Sequence, residues 1–103
     1  MTLAFITHEH VVEVQADEKT LIAVFGVSPL EAQFMQALLT NDWAGPSELP
    51  PVTYSKRQII YTMRKKLLAY QVRVVNDGNG HYAFTARSKA AIRRNIEKLT
   101  QRE

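Results

Sequence analysis

Two stretches of this sequence bring together side chains able to do chemistry as a group. The first is His8-Glu9-His10. Alternate residues of a strand share a face, so its two imidazoles could ligate a metal ion together. The third histidine, His81, lies far away in sequence and no further ligand presents itself; exposed turn histidines are the simpler reading, and no metal or other cofactor is expected. The second stretch is Lys56-Arg-Gln-Ile-Ile-Tyr-Thr-Met-Arg-Lys-Lys66. Placed about 100° apart on a helix, Ile59, Ile60, Met63, Leu67 and Tyr70 fall in one arc suited to a core, leaving Arg57, Gln58, Tyr61, Thr62, Arg64 and Lys65 on the other. Fork-shaped and amide donors of this kind can read base edges, and cations can neutralise phosphates.

The charge distribution sharpens that reading. The formal net charge is +3. Residues 1–50 carry one base, Lys19, against seven acids (net −6), whereas residues 51–103 carry twelve bases against three acids (net +9). A positive half that contains the amphipathic helix is what a phosphate-facing surface looks like in a sequence; a solvated cationic face is the alternative. With no cysteine, disulfide frameworks, thiol nucleophiles and cysteine-based zinc sites are excluded. The carboxylates have no paired, pocket-like setting and no nucleophile elbow is present, so an enzyme is not expected.

At 103 residues, 46% of them apolar and 22% charged, the chain suits one domain with a single modest core. No apolar run approaches the length of a membrane span and no basic leader precedes the first charged residues, so a cytoplasmic protein without membrane contact is expected.

The elements that must position the basic stretch follow in order. Leu3–Ile6, Val11–Val14 and Thr20–Phe25 read as strands of a small antiparallel sheet within residues 1–26, with Gln15–Lys19 as a hairpin turn. Ser28, Pro29 and Glu31 signal a helix start, followed by Leu30, Phe34, Met35, Leu38 and Leu39 at helical spacing. Gly45 and three prolines limit the next segment to one turn near Ser47–Leu49, with Trp43 either a buried anchor or a partner contact. Ser55 and Gln58 have the spacing of a reciprocal cap at the start of the basic helix, which runs to about Tyr70. Gln71–Val75 and His81–Thr85 flank Asn76-Asp-Gly-Asn-Gly80 as a hairpin, from which Arg73 and a polar tip including Asn79 project. Its Gly-x-Gly is a weak phosphate-cradle signal without a strand-to-helix turn. A last helix, 88–101, carries Ile92, Ile96 and Leu99 as a narrow stripe, seated on the domain's own core or on a second subunit.

Several of these residues also resemble a family. Val27-Ser-Pro-Leu-Glu-Ala-Gln-Phe34 is similar to the Leu-Thr-Pro-Leu-Glu-Phe first helix of OmpR-type response-regulator effector domains, and Pro46-Ser-Glu-Leu49 to a shortened second helix. Ile60-Tyr-Thr-Met-Arg-Lys-Lys-Leu67 is similar to that family's recognition-helix pattern Ile-x-x-Leu-Arg-x-Lys-Leu, and Gly78-Asn-Gly-His-Tyr-Ala-Phe84 to its closing Gly-x-Gly-Tyr-x-Phe. The likeness spans residues 3 to 85. His81 is an insertion, Pro50-Pro51 cut the second helix short, and the last helix has no counterpart.

What the resemblance implies is an α+β winged helix-turn-helix: N-terminal strands, three helices within 28–70, a wing at 71–86 and an extra C-terminal helix. With no receiver domain in the sequence, it implies a stand-alone regulator that binds double-stranded DNA specifically and controls transcription. A homodimer on repeated half-sites and a contact with RNA polymerase follow as expected partners. The DNA-binding residues would be Lys56, Arg57, Gln58, Tyr61, Thr62, Arg64, Lys65 and Lys66 on the helix, with Arg73 and Asn79 on the hairpin. The rival is a docking module in which the basic helix meets an acidic protein partner.

Overall fold

The computed structural model describes residues 2–7, 10–53 and 55–101, with side chains at Ala4 and over most of 16–99. The chain combines helices with short antiparallel strands. Strand β1 (Thr2–Thr7) pairs with β2 (His10–Gln15) along its whole length, from Thr2 opposite Gln15 to Thr7 opposite His10. His8 and Glu9 of the metal-ligand reading lie outside the described residues. Four helices follow the hairpin: α1 (Glu18–Phe25), α2 (Pro29–Thr40), α3 (Lys56–Leu67) and α4 (Ala86–Gln101). Between α3 and α4 comes a second hairpin, β3 (Val74–Asn76) with β4 (Tyr82–Phe84). Among the described residues no single helix is long and apolar enough to cross a membrane.

Contrary to the sequence expectation, Thr20–Phe25 lies in helix α1 and not in a strand, and 15–19 is not a hairpin turn. Its β-branched residues favour strands, but Leu21 and Phe25 stand one helical turn apart and both are buried. Glu18 sits in the first turn, and Gly26 at φ +68° ends the helix by donating its N–H to the Ile22 carbonyl, 2.9 Å away. Burial of that face, closed off by the Gly26 stop, thus outweighs residue-by-residue propensity.

Helix α2 begins as its sequence implies. Ser28 Oγ accepts the Glu31 N–H at 3.1 Å, Glu31 Oε1 accepts the Ser28 N–H at 2.7 Å, and Pro29 occupies the first helical position. Ser55, in contrast, makes no side-chain cap to α3; its carbonyl accepts the Gln58 N–H at 3.1 Å, so backbone alone starts that helix. The expected short second helix is a single turn in which Glu48 and Leu49 both donate to the Gly45 carbonyl at 3.0 Å. Trp43 is 45% exposed and is not the buried anchor; its neighbour Ala44 is the buried residue.

Phe34, Met35, Leu38, Ile60, Met63, Leu67, Val72 and Ile92 are fully buried together, so α2, α3 and α4 share one core. Truncating Phe34 to alanine would cost about 3–5 kcal/mol at such a site. Helix α4 starts two residues earlier than the sequence suggests, because the Thr85 hydroxyl accepts the Ser88 N–H at 3.1 Å. Ile92 and Ile96 are buried, and α4 packs on α1, β2 and β4. The stripe therefore seats on the chain's own core, with Leu99 left outside it.

Past α3 the chain makes a 3-10 turn, Leu68–Tyr70, and reverses at Gln71 (φ +61°). Gln71, expected to open the strand, is spent on this reversal, and β3 begins only at Val74. The Tyr70 ring meets the Phe25 ring edge-on, with centroids 5.0 Å apart, which ties the end of α3 to α1.

Candidate nucleic-acid interface

Burial of Ile59, Ile60, Met63 and Leu67 fixes which way α3 faces. One flank then lies toward α2 and another toward the second hairpin. On the hairpin flank, Arg57, Tyr61 and Arg64 follow one another at spacings of four and three, and with Asn76, Gly78, Gly80 and Tyr82 they line a cleft of about 270 Å³. Among the described residues no carboxylate lines it. Arg57, Tyr61, Arg64 and Lys65 are exposed, and among the described residues no carboxylate lies within ion-pair distance of these three cations. Lys65 Nζ stands 4.7 Å from the centre of the Tyr61 ring, a cation–π contact that leaves the ammonium in water.

On the α2 flank the cation is engaged. Glu31 is 4% exposed, Lys66 Nζ lies 2.6 Å from its Oε1, and the Thr62 hydroxyl donates to its Oε2 at 3.0 Å. Burial opposes ionisation of Glu31, but the Lys66 ammonium, the Ser28 N–H and the hydroxyls of Thr62 and Ser28 outweigh it, holding the carboxyl below its ordinary value. One carboxylate thus caps α2 and grips α3 by two side chains. The sequence placed Glu31 only at the favourable end of the helix dipole, although Ser28-x-x-Glu31 is the visible signature of the cap.

The remaining sequence-expected residues are distributed as follows. Gln58 is exposed near the start of α3. Lys56 is half-buried and donates to the Pro46 carbonyl at 2.9 Å, pinning α3 to the preceding turn. Asn79 is exposed at the hairpin tip, where its N–H donates to Asp77 Oδ1 at 2.7 Å. Arg73 is exposed at the base of the hairpin, its N–H donating to the buried Ser88 hydroxyl at 2.7 Å, and it does not line the Arg57–Arg64 cleft. Arg57, Tyr61 and Arg64 are therefore brought together with the hairpin, whereas Arg73, Thr62 and Lys66 face elsewhere.

The hairpin itself is held by contacts the sequence reading missed. Tyr82 and Ala44 exchange both backbone hydrogen bonds, at 2.8 and 2.9 Å, so the segment after α2 adds a one-residue strand beside β4. The inserted His81 packs over Gly45, where an added Cβ would fall 2.7 Å from His81 Cδ2. His81 Nδ1 lies 3.0 Å from Asp77 Oδ2 without hydrogen-bond geometry. The Asn79 N–H, followed by the His81 N–H and the nearby imidazole, holds the Asp77 carboxyl below its usual range despite some desolvation. Gly78 and Gly80 take φ +82° and +84°, so the tip turns without side chains and leaves the cleft wall low. Among the described residues no group of three histidines and carboxylates is placed to hold a metal ion.

Comparison of the chain with protein-family models, with curated proteins and with solved structures finds no match.

Proposed function

We propose that this chain is a cytoplasmic winged-helix regulator of the OmpR type that binds double-stranded DNA and controls transcription, with no catalytic activity. The observation that carries the reading is the hairpin flank of α3, where Arg57, Arg64 and Lys65 stand in solvent beside a cleft that no carboxylate among the described residues lines. Helix α3 enters the major groove by its first two turns, Arg57, Gln58 and Tyr61 reach base edges, and Arg64 and Lys65 neutralise flanking phosphates. The second hairpin serves as the wing. Its low glycine tip lets the Asn79 side chain approach the adjacent strand.

Thr62 and Lys66 are assigned to holding α3 at its angle on α2 through Glu31, because a recognition helix reads register only if its tilt is fixed. A module of this size gains specificity by pairing on two half-sites, so a homodimer on repeated sites is part of the proposal. Selection from a randomised duplex library tests it. The expected result is a short motif, repeated at about one helical turn, whose binding Arg57→Ala relaxes at one position. Recovery of no enriched motif and no shift of any duplex at low salt would refute it.

A further inference from the structure

Along the outer edge of the second hairpin three features meet, sharing only Arg64 with the DNA contacts proposed above. The first is an open strand edge. Because Tyr82 spends its backbone groups on Ala44, Val75 opposite Ala83 is the hydrogen-bonded pair across the hairpin, and the N–H and C=O of Val74 and Asn76 turn outward. The neighbouring bonds agree with this alternation, since the Arg73 and Asp77 N–H groups donate inward, to Ser88 Oγ and to the His81 carbonyl. Beyond β3 no strand among the described residues pairs with that edge.

The second feature is an apolar groove of about 240 Å³ between the end of α3 and β3, in which Leu68 is 59% exposed and Val75 36%. The third is a rim of Arg64, Arg73 and Arg87, since the groove continues into a wider one of about 600 Å³ along Arg73 and Arg87, again without a carboxylate among the described residues. Among the described residues none of the three arginines has an ion-pair partner.

We propose that the open edge of β3, with the Leu68–Val75 groove and its arginine rim, docks an extended acidic segment of a partner protein as an added strand. Each feature selects that occupant. An extended peptide supplies both donors and acceptors to Val74 and Asn76, whereas a phosphodiester backbone supplies acceptors only. Alternate apolar residues of the peptide cover Leu68 and Val75, and carboxylates meet the rim. Arg64 lines both this groove and the Arg57–Tyr61 cleft, so the partner would sit beside α3.

Display of random heptapeptides against the full chain tests the proposal, followed by amide NMR with the selected peptide. Selected sequences should alternate carboxylates with apolar residues and slow hydrogen exchange at Val74 and Asn76. Leu68→Ala and Arg87→Ala, both exposed positions outside the proposed DNA contacts, should each weaken binding about three- to tenfold. Selection of no peptide, of peptides without that alternation, or of binders that leave the Val74 and Asn76 amides unprotected overturns it. So does protection of those amides by a mixed-sequence DNA duplex, which would assign the edge to nucleic acid and leave the DNA reading intact.

Discussion

Helix α3 carries similar cations on two flanks, and the structure treats them oppositely. Toward α2, Lys66 is drawn 2.6 Å from a buried carboxylate that Thr62 also touches; toward the hairpin, Arg57, Arg64 and Lys65 meet no acid among the described residues. The difference lies in where one glutamate is buried, not in the composition of the helix. A charge that a protein satisfies internally serves its own architecture, and one it leaves in water is available to a ligand. Counting basic residues along a helix merges the two kinds.

The largest effect is expected on the hairpin flank. Replacing Arg57 and Arg64 together by alanine should weaken duplex binding by about a hundredfold or more while leaving thermal stability near that of the parent, measured by fluorescence anisotropy and calorimetry. The reverse pattern is expected on the other flank. Lys66→Ala strands the Glu31 charge and should destabilise the fold by about 1–2 kcal/mol in urea unfolding, less than a fully buried pair because the lysine is partly in water. DNA affinity should change little. A large loss of affinity without loss of stability would mean that the two flanks are not distinct.

The far wall of the cleft can be sharpened in the same way. Gly45→Ala puts a methyl against the His81 ring, and should cost roughly 1 kcal/mol if the imidazole cannot swing aside. Adding His81→Ala should recover most of that loss, and a double-mutant cycle measures the coupling.

A smaller effect concerns pH. Because the folded carboxyl of Glu31 titrates below its ordinary value, its ionisation stabilises the fold above the unfolded pKa, and that contribution is lost as pH falls through the folded one. Urea unfolding compared at pH 6 and pH 3 should show the decline, and Glu31→Gln should flatten it.

Legibility in the sequence divides along a physical line. Features set by one element's own periodicity or caps were readable: the buried face of α3, the Ser28–Pro29 start of α2, the glycine-tipped hairpin, and the Ile92–Ile96 stripe of α4. What required the neighbour was not. Thr20–Phe25 reads as strand by propensity and becomes helix because Leu21 and Phe25 find a core. Trp43 reads as an anchor, but the backbone of Ala44 makes the contact. Lys66 and Arg64 stand two residues apart with nothing local to separate them; only the packing of α2 on α3, through Glu31, sends them to different tasks. The open edge of β3 is likewise invisible without knowing that Tyr82 pairs with Ala44.

Salt dependence of duplex affinity, compared between Arg64→Ala and Lys66→Ala, separates a phosphate contact from an internal tie. Removing a phosphate contact should lower the slope of log affinity against log salt by about one unit for Arg64→Ala, with Lys66→Ala retaining the parent slope. Equal losses of slope for both, or no salt dependence in the parent protein, would contradict it.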